Sequence, residues 1–269
     1  MAKIGVFDSG LGGLTILKEL LLSFPEEDFV YLGDTARLPY GTKSPETIRK
    51  YSEQIMNFLC TKNVDALVIA CNSASSQVPE KEWHGLPLFN VIEPGAAKAY
   101  QLSQNKKIGL LGTRATVASE SYTREIEKLD PSIELFSQAC PLFVPLAEEG
   151  WTDDPITNLI VYRYLQPLLA KQIDTLILGC THYPLLRNSI QRACGPNINL
   201  VDSGKGLAHE ISQAFDKKQI IARNQSSRPN KNIEILMTDF SQHSQEMAES
   251  ILLAQTQADL HLQFEIVQL

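Results

Sequence analysis

Two cysteines occupy matching places in two similar decapeptides. Val64–Ser73 reads VDALVIACNS, and Ile173–His182 reads IDTLILGCTH. Asp65 matches Asp174, Leu67 matches Leu176 and Cys71 matches Cys180, each pair 109 residues apart. Both segments are apolar runs that end in a small residue, a cysteine and a polar pair. Two thiols brought to one site by two similar units suit one reaction well: a thiolate removes a proton from one face of a carbon, and a thiol returns one to the other face. Either cysteine alone reads as an ordinary buried residue. The matched pair, each before polar residues at a strand end, reads as functional, because ligands in parallel sheets bind beyond the carboxyl ends of the strands. A helix start just after each thiol is expected to lower its pKa from about 8.5 and favour the thiolate.

Other strand-end segments carry further candidates. Asp8-Ser9-Gly10-Leu11-Gly12-Gly13 places glycines before a helix, which allows close backbone approach and exposes amides to a carboxylate or phosphate. The spacing is neither G-x-G-x-x-G nor G-x-x-x-x-G-K-[ST], so a dinucleotide or nucleoside triphosphate is a poor fit. Asp8 alone would be a turn aspartate; its strand end is expected beside that of Cys71. Gly33–Gly41 (GDTARLPYG) is a second such loop, rich in turn residues. His182, two residues after Cys180, suits hydrogen bonding to substrate or acid catalysis. Glu148-Glu149-Gly150 follows an apolar stretch, and spacing does not single out Glu149.

The elements that must position these residues are legible as alternating β and α patterns. Strands are expected at Lys3–Phe7, Asp28–Leu32, Ala66–Ala70 and Leu88–Ile92. A second set is expected at Lys107–Leu111, Ile133–Ser137, Thr175–Leu178 and Asn199–Val201, and Ile233–Met237 and Gln263–Val267 close the chain. A helix is predicted over Pro45–Lys62, with Ser44 as N-cap, Pro45 first, and Ile48, Tyr51, Ile55 and Leu59 at helical spacing. Such alternation predicts an α/β fold with mostly parallel sheets. A second echo, KIGVFDS at Lys3–Ser9 against KIGLLGT at Lys107–Thr113, lies at an offset of 104 and predicts two similar α/β domains. The expected first domain is 1–95 plus 209–269, and the second is 96–208.

The 269 residues suit one large or two medium domains. The net charge of −7, with no block of basic residues, argues against nucleic acid as a main partner. No apolar run of 18 residues indicates a membrane span. The first residues enter a strand pattern at once, so no signal peptide is expected. Five cysteines without paired spacing point to a reducing compartment, by default the cytoplasm. Cys60, Cys140 and Cys194 read as structural. There is no C-x-x-C, and Cys180-x-His182 is too sparse for structural zinc, so no metal is expected.

Taken together, FDSGLGG, GDTARLPYGTKS, ACNSAS, VIEPGA and LGCTHYPLL, in that order between Ile4 and Leu186, resemble glutamate racemase, of the cofactor-independent aspartate/glutamate racemase superfamily. The segment beyond about Asp202 carries no motif of its own. The resemblance implies that Cys71 and Cys180 are the acid/base pair, Asp8 assisting Cys71 and His182 assisting Cys180, with Glu149 as a further assisting group. It implies substrate contacts from Asp8, Ser9, Tyr40, Gly41, Asn72, Ser73, Thr181 and His182, with Thr113 and Thr116 in the same pocket. Ser73 stands where the family usually has threonine, and keeps the hydroxyl. The implied protein is a cytoplasmic homodimer with its site in the cleft between two α/β domains, no cofactor, and D-glutamate for peptidoglycan as product. Aspartate as substrate, hydrolysis through a single cysteine nucleophile, and a non-catalytic amino-acid-binding module remain open on the residues alone.

Overall fold

In the computed structural model, which describes residues 1–221, 232–253 and 261–269, the apolar runs become the strands of two sheets. The strands are β1 (Lys3–Asp8), β2 (Asp28–Gly33), β3 (Ala66–Ile69), β4 (Glu82–Trp83), β5 (Leu86–Asn90), β6 (Lys107–Gly112), β7 (Glu134–Ala139), β8 (Thr175–Gly179), β9 (Asn199–Val201), β10 (Asn232–Met237) and β11 (His261–Ile266). The first sheet runs β11-β10-β2-β1-β3-β5-β4 and the second β7-β6-β8-β9. Every pairing is parallel except the short β4–β5 ribbon. Residues 222–231 and 254–260, part of the tail assigned to the first unit from sequence, lie outside the described residues.

The two sheets share one internal order. β2-β1-β3-β5 in the first corresponds to β7-β6-β8-β9 in the second. The register corresponds too: Ile4 pairs with Ala66 and Ile108 with Thr175, the same positions in the two sequence echoes. The echo is thus one of placement as well as composition. It delivers Cys71 and Cys180 from equivalent strands, each next to the strand that opens its unit.

Side-chain alternation fixes where each thiol faces. Leu67, Ile69 and Cys71 share one apolar cluster, while Ala66, Val68 and Ala70 join the cluster on the opposite face. In the second sheet Leu176, Leu178 and Cys180 share a cluster, and Ile177 points the other way. Each thiol therefore continues a buried row, and each fully buried Leu or Ile in such a row contributes about 1.5–3 kcal/mol.

The helix Pro45–Thr61 forms as its pattern predicts. Ser44 accepts from the Thr47 amide, Pro45 opens the first turn, and Ile48, Ile55, Met56 and Leu59 are buried against the row of Leu67 and Ile69. The chain leaves the first sheet through the helix Ile92–Leu102 and enters the second at β6. It returns through the helix Gly204–Asp216, and β10 joins the first sheet beside β2.

Three strands are shifted at both ends from their expected places. β5 ends at Asn90 instead of Ile92 because the Asn90 side chain accepts from the Ile92 and Glu93 amides and starts the next helix. β7 runs Glu134–Ala139 instead of Ile133–Ser137: it is a half-exposed edge strand, so burial does not mark its ends. β11 is His261–Ile266 where Gln263–Val267 was expected.

Candidate active site

The carboxyl ends of β1, β3, β6 and β8 meet at a cleft between the two sheets. The cleft is closed, with only about 20 Å3 of free space, and is lined by Cys71, Asn72 and Ser73 from one side and Cys180, Thr181 and His182 from the other. Ser9, Tyr40, Gly41 and Thr113 complete the part of the wall expected from sequence.

Asp8 ends β1 and is fully buried. Its Oδ2 accepts the Gly10 amide at 3.0 Å, and its Oδ1 accepts the Thr181 hydroxyl at 3.3 Å, a bond that crosses from one unit to the other. Cys71 caps the one-turn helix Asn72–Ser75: its sulfur accepts the Ala74 amide at 3.5 Å and lies 3.6 Å from Ser9 Oγ. The expected depression of its pKa does not hold in the closed cleft. Burial pushes the Cys71 thiol up to about 12, and the Asp8 charge adds to the rise. The Ala74 amide and Ser9 hydroxyl oppose it. One helical turn offers too few free amides to offset the loss of water.

Cys180 stands against His182, with Sγ 4.0 Å from Nδ1. His182 Nε2 lies 3.1 Å from Glu148 Oε1. Burial works against the imidazolium, but contact with Cys180 and Glu148 outweighs it and holds the His182 pKa up to about 10. The histidine is thus cationic at neutral pH, between a sulfur and a carboxylate.

The glutamate at this position is Glu148 and not Glu149. The helix Phe143–Glu148 turns Val144 and Glu148, four residues apart, toward the cleft. Glu149 is exposed and sits at the helix C-cap, about 100° further round the axis. Helical spacing from Val144 was the signal that separates the two.

Ser73, Thr113 and Thr116 form a buried hydroxyl chain across the units, Ser73 Oγ to Thr113 Oγ1 at 2.8 Å and Thr113 Oγ1 to Thr116 Oγ1 at 3.0 Å. Tyr40 lines the cleft, and its hydroxyl donates to the buried Asp34. Arg37 Nε and Thr238 Oγ1 also donate to Asp34. That aspartate, which reads as a turn residue in sequence, is the anchor of the Tyr40-Gly41 loop.

The glycines serve a contact that sequence did not suggest. A Cβ on Gly12 would fall 2.4 Å from His182 Nδ1 and 2.5 Å from Thr181 Oγ1, and one on Gly41 would fall 2.6 Å from Thr113 Cβ. Both glycines let one unit's loop press against the other's site residues.

Among the described residues no cluster of His, Cys, Asp and Glu has the geometry to hold a metal ion. No helix among them is long and apolar enough to cross a membrane.

The family model for Asp/Glu/hydantoin racemase matches residues 16–211. A glutamate racemase of Sulfurihydrogenibium sp. is 45% identical over 255 residues, 91% of this chain and 98% of its own. Among solved structures, a glutamate racemase isoform of Bacillus anthracis superposes with a TM-score of 0.89 at 33% identity, covering 100% of this chain and 98% of that one. The glutamate racemase of Francisella tularensis, solved in complex with D-glutamate, gives 0.87 at 36% identity, covering 99% and 97%.

Proposed function

Since the chain belongs to the Asp/Glu/hydantoin racemase family, we propose that it interconverts L- and D-glutamate by two-base proton transfer between Cys71 and Cys180. The observation that carries this reading is the pair of buried thiols on one cleft, set there by equivalent strands of two like sheets. The relatives named glutamate racemase, and the D-glutamate held by one of them, support glutamate as the substrate. D-Glutamate for peptidoglycan is the corresponding role, and a cytoplasmic homodimer the corresponding setting.

The reaction starts with the α-proton of L-glutamate passing to the Cys180 sulfur. The Cys71 thiol gives its proton to the opposite face of the α-carbon, which leaves D-glutamate, a Cys180 thiol and a Cys71 thiolate. The reverse reaction starts from that state. Burial favours the thiol at Cys71, and His182 stands 4.0 Å from the Cys180 sulfur.

The α-proton of an amino acid is weakly acidic, so fixed donors must meet the charge as it develops. Ser9, Asn72, Ser73 and Thr181 line the cleft, and in this reading their backbone amides are the donors to the α-carboxylate, an interaction that strengthens in the carbanion-like state. Asp8 and the His182–Glu148 pair act beside the two sulfurs. The Ser73, Thr113 and Thr116 hydroxyls hold the wall behind them.

Proton NMR of L-glutamate with the purified, reduced protein in heavy water, followed by chiral analysis, tests the proposal. Loss of the α-proton signal with formation of D-glutamate is expected. Exchange on aspartate alone would reassign the substrate, and glutamate binding without exchange would make the chain a binding module.

A further inference from the structure

Tyr122 takes no part in the chemistry described above, yet it is the residue that ties the two thiol-bearing strand ends together. It sits in the first turn of the helix Ser121–Leu129 of the second unit and is fully buried. Its ring lies against the end of β8: a Cβ on Gly179, the residue before Cys180, would be 3.5 Å from Tyr122 Cε2. Its hydroxyl crosses to the first unit and donates to Asn72 Oδ1 at 2.8 Å. Asn72 is the residue after Cys71, is itself buried and lines the cleft. Gly95 makes room for this bridge, since a Cβ there would fall 3.1 Å from the Tyr122 hydroxyl and 2.6 Å from Ser203 Oγ.

The direction of this bond has a chemical consequence. A carboxamide has an accepting oxygen and a donating nitrogen, and the two point apart. A buried phenol stays protonated; burial raises the Tyr122 pKa above its ordinary 10 and the nearby Cys180 adds to the rise, with the Ser203 hydroxyl opposing it. Its proton therefore faces the Asn72 oxygen. That leaves Nδ2 as the face of the amide not taken up by Tyr122.

Resting on the glutamate racemase reading, we infer that Tyr122 is a positioning residue: by holding Asn72 Oδ1 it fixes the amide with Nδ2 turned into the cleft, as a donor to a carboxylate of the substrate. Without the phenol hydroxyl the amide is free to flip and presents an oxygen to that carboxylate half the time or more. The bond also crosses between the units, so the donor is set only when the cleft is closed.

Four proteins test this: wild type, Tyr122→Phe, Asn72→Ala and the double variant, each assayed for racemisation and for glutamate affinity by calorimetry. Tyr122→Phe keeps the ring and is expected to raise KM and weaken affinity about 5- to 10-fold, the worth of one buried hydrogen bond, with kcat changed less than KM. The double variant is expected to bind no more weakly than Asn72→Ala alone, because the tyrosine acts only through that amide. Losses that add in the double variant, or an unchanged KM with a lowered Tm, would overturn the inference. Asn72→Asp probes the orientation without touching Tyr122: it keeps the oxygen that Tyr122 holds but faces the substrate carboxylate with a negative oxygen. A loss of affinity of about 100-fold is expected, and retained affinity would mean that the amide presents its oxygen instead. Should wild type bind glutamate without racemising it, the racemase reading fails while the affinities still decide the role of Tyr122. Absence of any glutamate binding by wild type overturns both.

Discussion

His182 joins Glu148 through Nε2 at 3.1 Å and turns Nδ1 toward the Cys180 sulfur at 4.0 Å. The carboxylate thus fixes the ring and favours its cationic form next to the thiol. Glu148→Gln keeps the shape but removes the charge, and a hydrogen bond to a charged group is worth roughly 1.5–3 kcal/mol. We expect kcat/KM to fall roughly 10- to 100-fold. Glu149→Gln, one residue on and exposed, is expected to stay within about twofold of wild type, since surface changes away from such contacts have little effect. Chiral assay of the two variants side by side checks this; equal losses would separate activity from the His182 contact.

The same pair predicts how stability depends on pH. The folded His182 pKa is held up at about 10 against an ordinary 6.5. Its stabilising contribution is therefore complete below about pH 6.5 and is lost as the pH rises through 10. The Cys71 thiol, raised to about 12 from 9.0, acts in the same direction above pH 9, because the unfolded thiol ionises first. Thermal melting in reductant is expected to show Tm falling between pH 7 and pH 10. Glu148→Gln should flatten that slope, having removed one of the groups that hold the imidazolium. A flat wild-type profile, or identical slopes in the two proteins, would contradict the assignment.

What could be read from sequence divides along physical lines. Continuous apolar strands such as Ala66–Ile69 and Thr175–Gly179 announce themselves, because strands covered on both faces carry little polar interruption. The cysteines at their ends come with them. β4 did not show, since two residues of an exposed ribbon bury too little to leave a pattern. Glu148 and Glu149 differ by one position, and only the phase of a six-residue helix tells them apart. Asp34, Tyr122 and Gly12 act through partners 204, 50 and about 170 positions away, and no local spacing encodes such contacts. The Cys71 pKa departs from the local expectation for a related reason: a helix start is visible in sequence, whereas burial belongs to the assembled cleft.

The two thiols make a paired prediction. Cys71→Ala and Cys180→Ala each remove one of the two proton carriers, and general acid–base groups are each worth up to about 10^4 in rate. Loss of at least about 10^3-fold in racemisation is expected for either. Enantiomers have equal free energy, so kcat/KM must remain equal in the two directions in every variant that still turns over. Asp8→Asn and His182→Asn, which spare the sulfurs, are expected to lower kcat more than they raise KM. Racemase activity surviving in either cysteine variant would remove the two-base mechanism, and a pure KM effect in the other two would relegate them to binding.

Gly12 provides a test of how tightly the cleft must close. Its backbone lies against His182 and Thr181, and a methyl group there would stand 2.4 Å from His182 Nδ1. His182 has little freedom to move aside, since its other nitrogen is engaged by Glu148 and the residue is buried. Alanine at position 12 must therefore either turn the ring away from Cys180 or push the two units apart. Overpacking of this kind costs typically 1–3 kcal/mol, so Gly12→Ala is expected to fold with Tm lowered by several degrees. The loss of activity should be larger, of order 10^2-fold in kcat/KM, because a 1 Å misplacement at the reacting groups already has that effect. Calorimetric melting and the chiral assay on the same preparation measure both quantities. Full activity in Gly12→Ala would show that catalysis does not need the close approach of this loop to His182, and the reading of the cleft as a closed two-sided site would go with it.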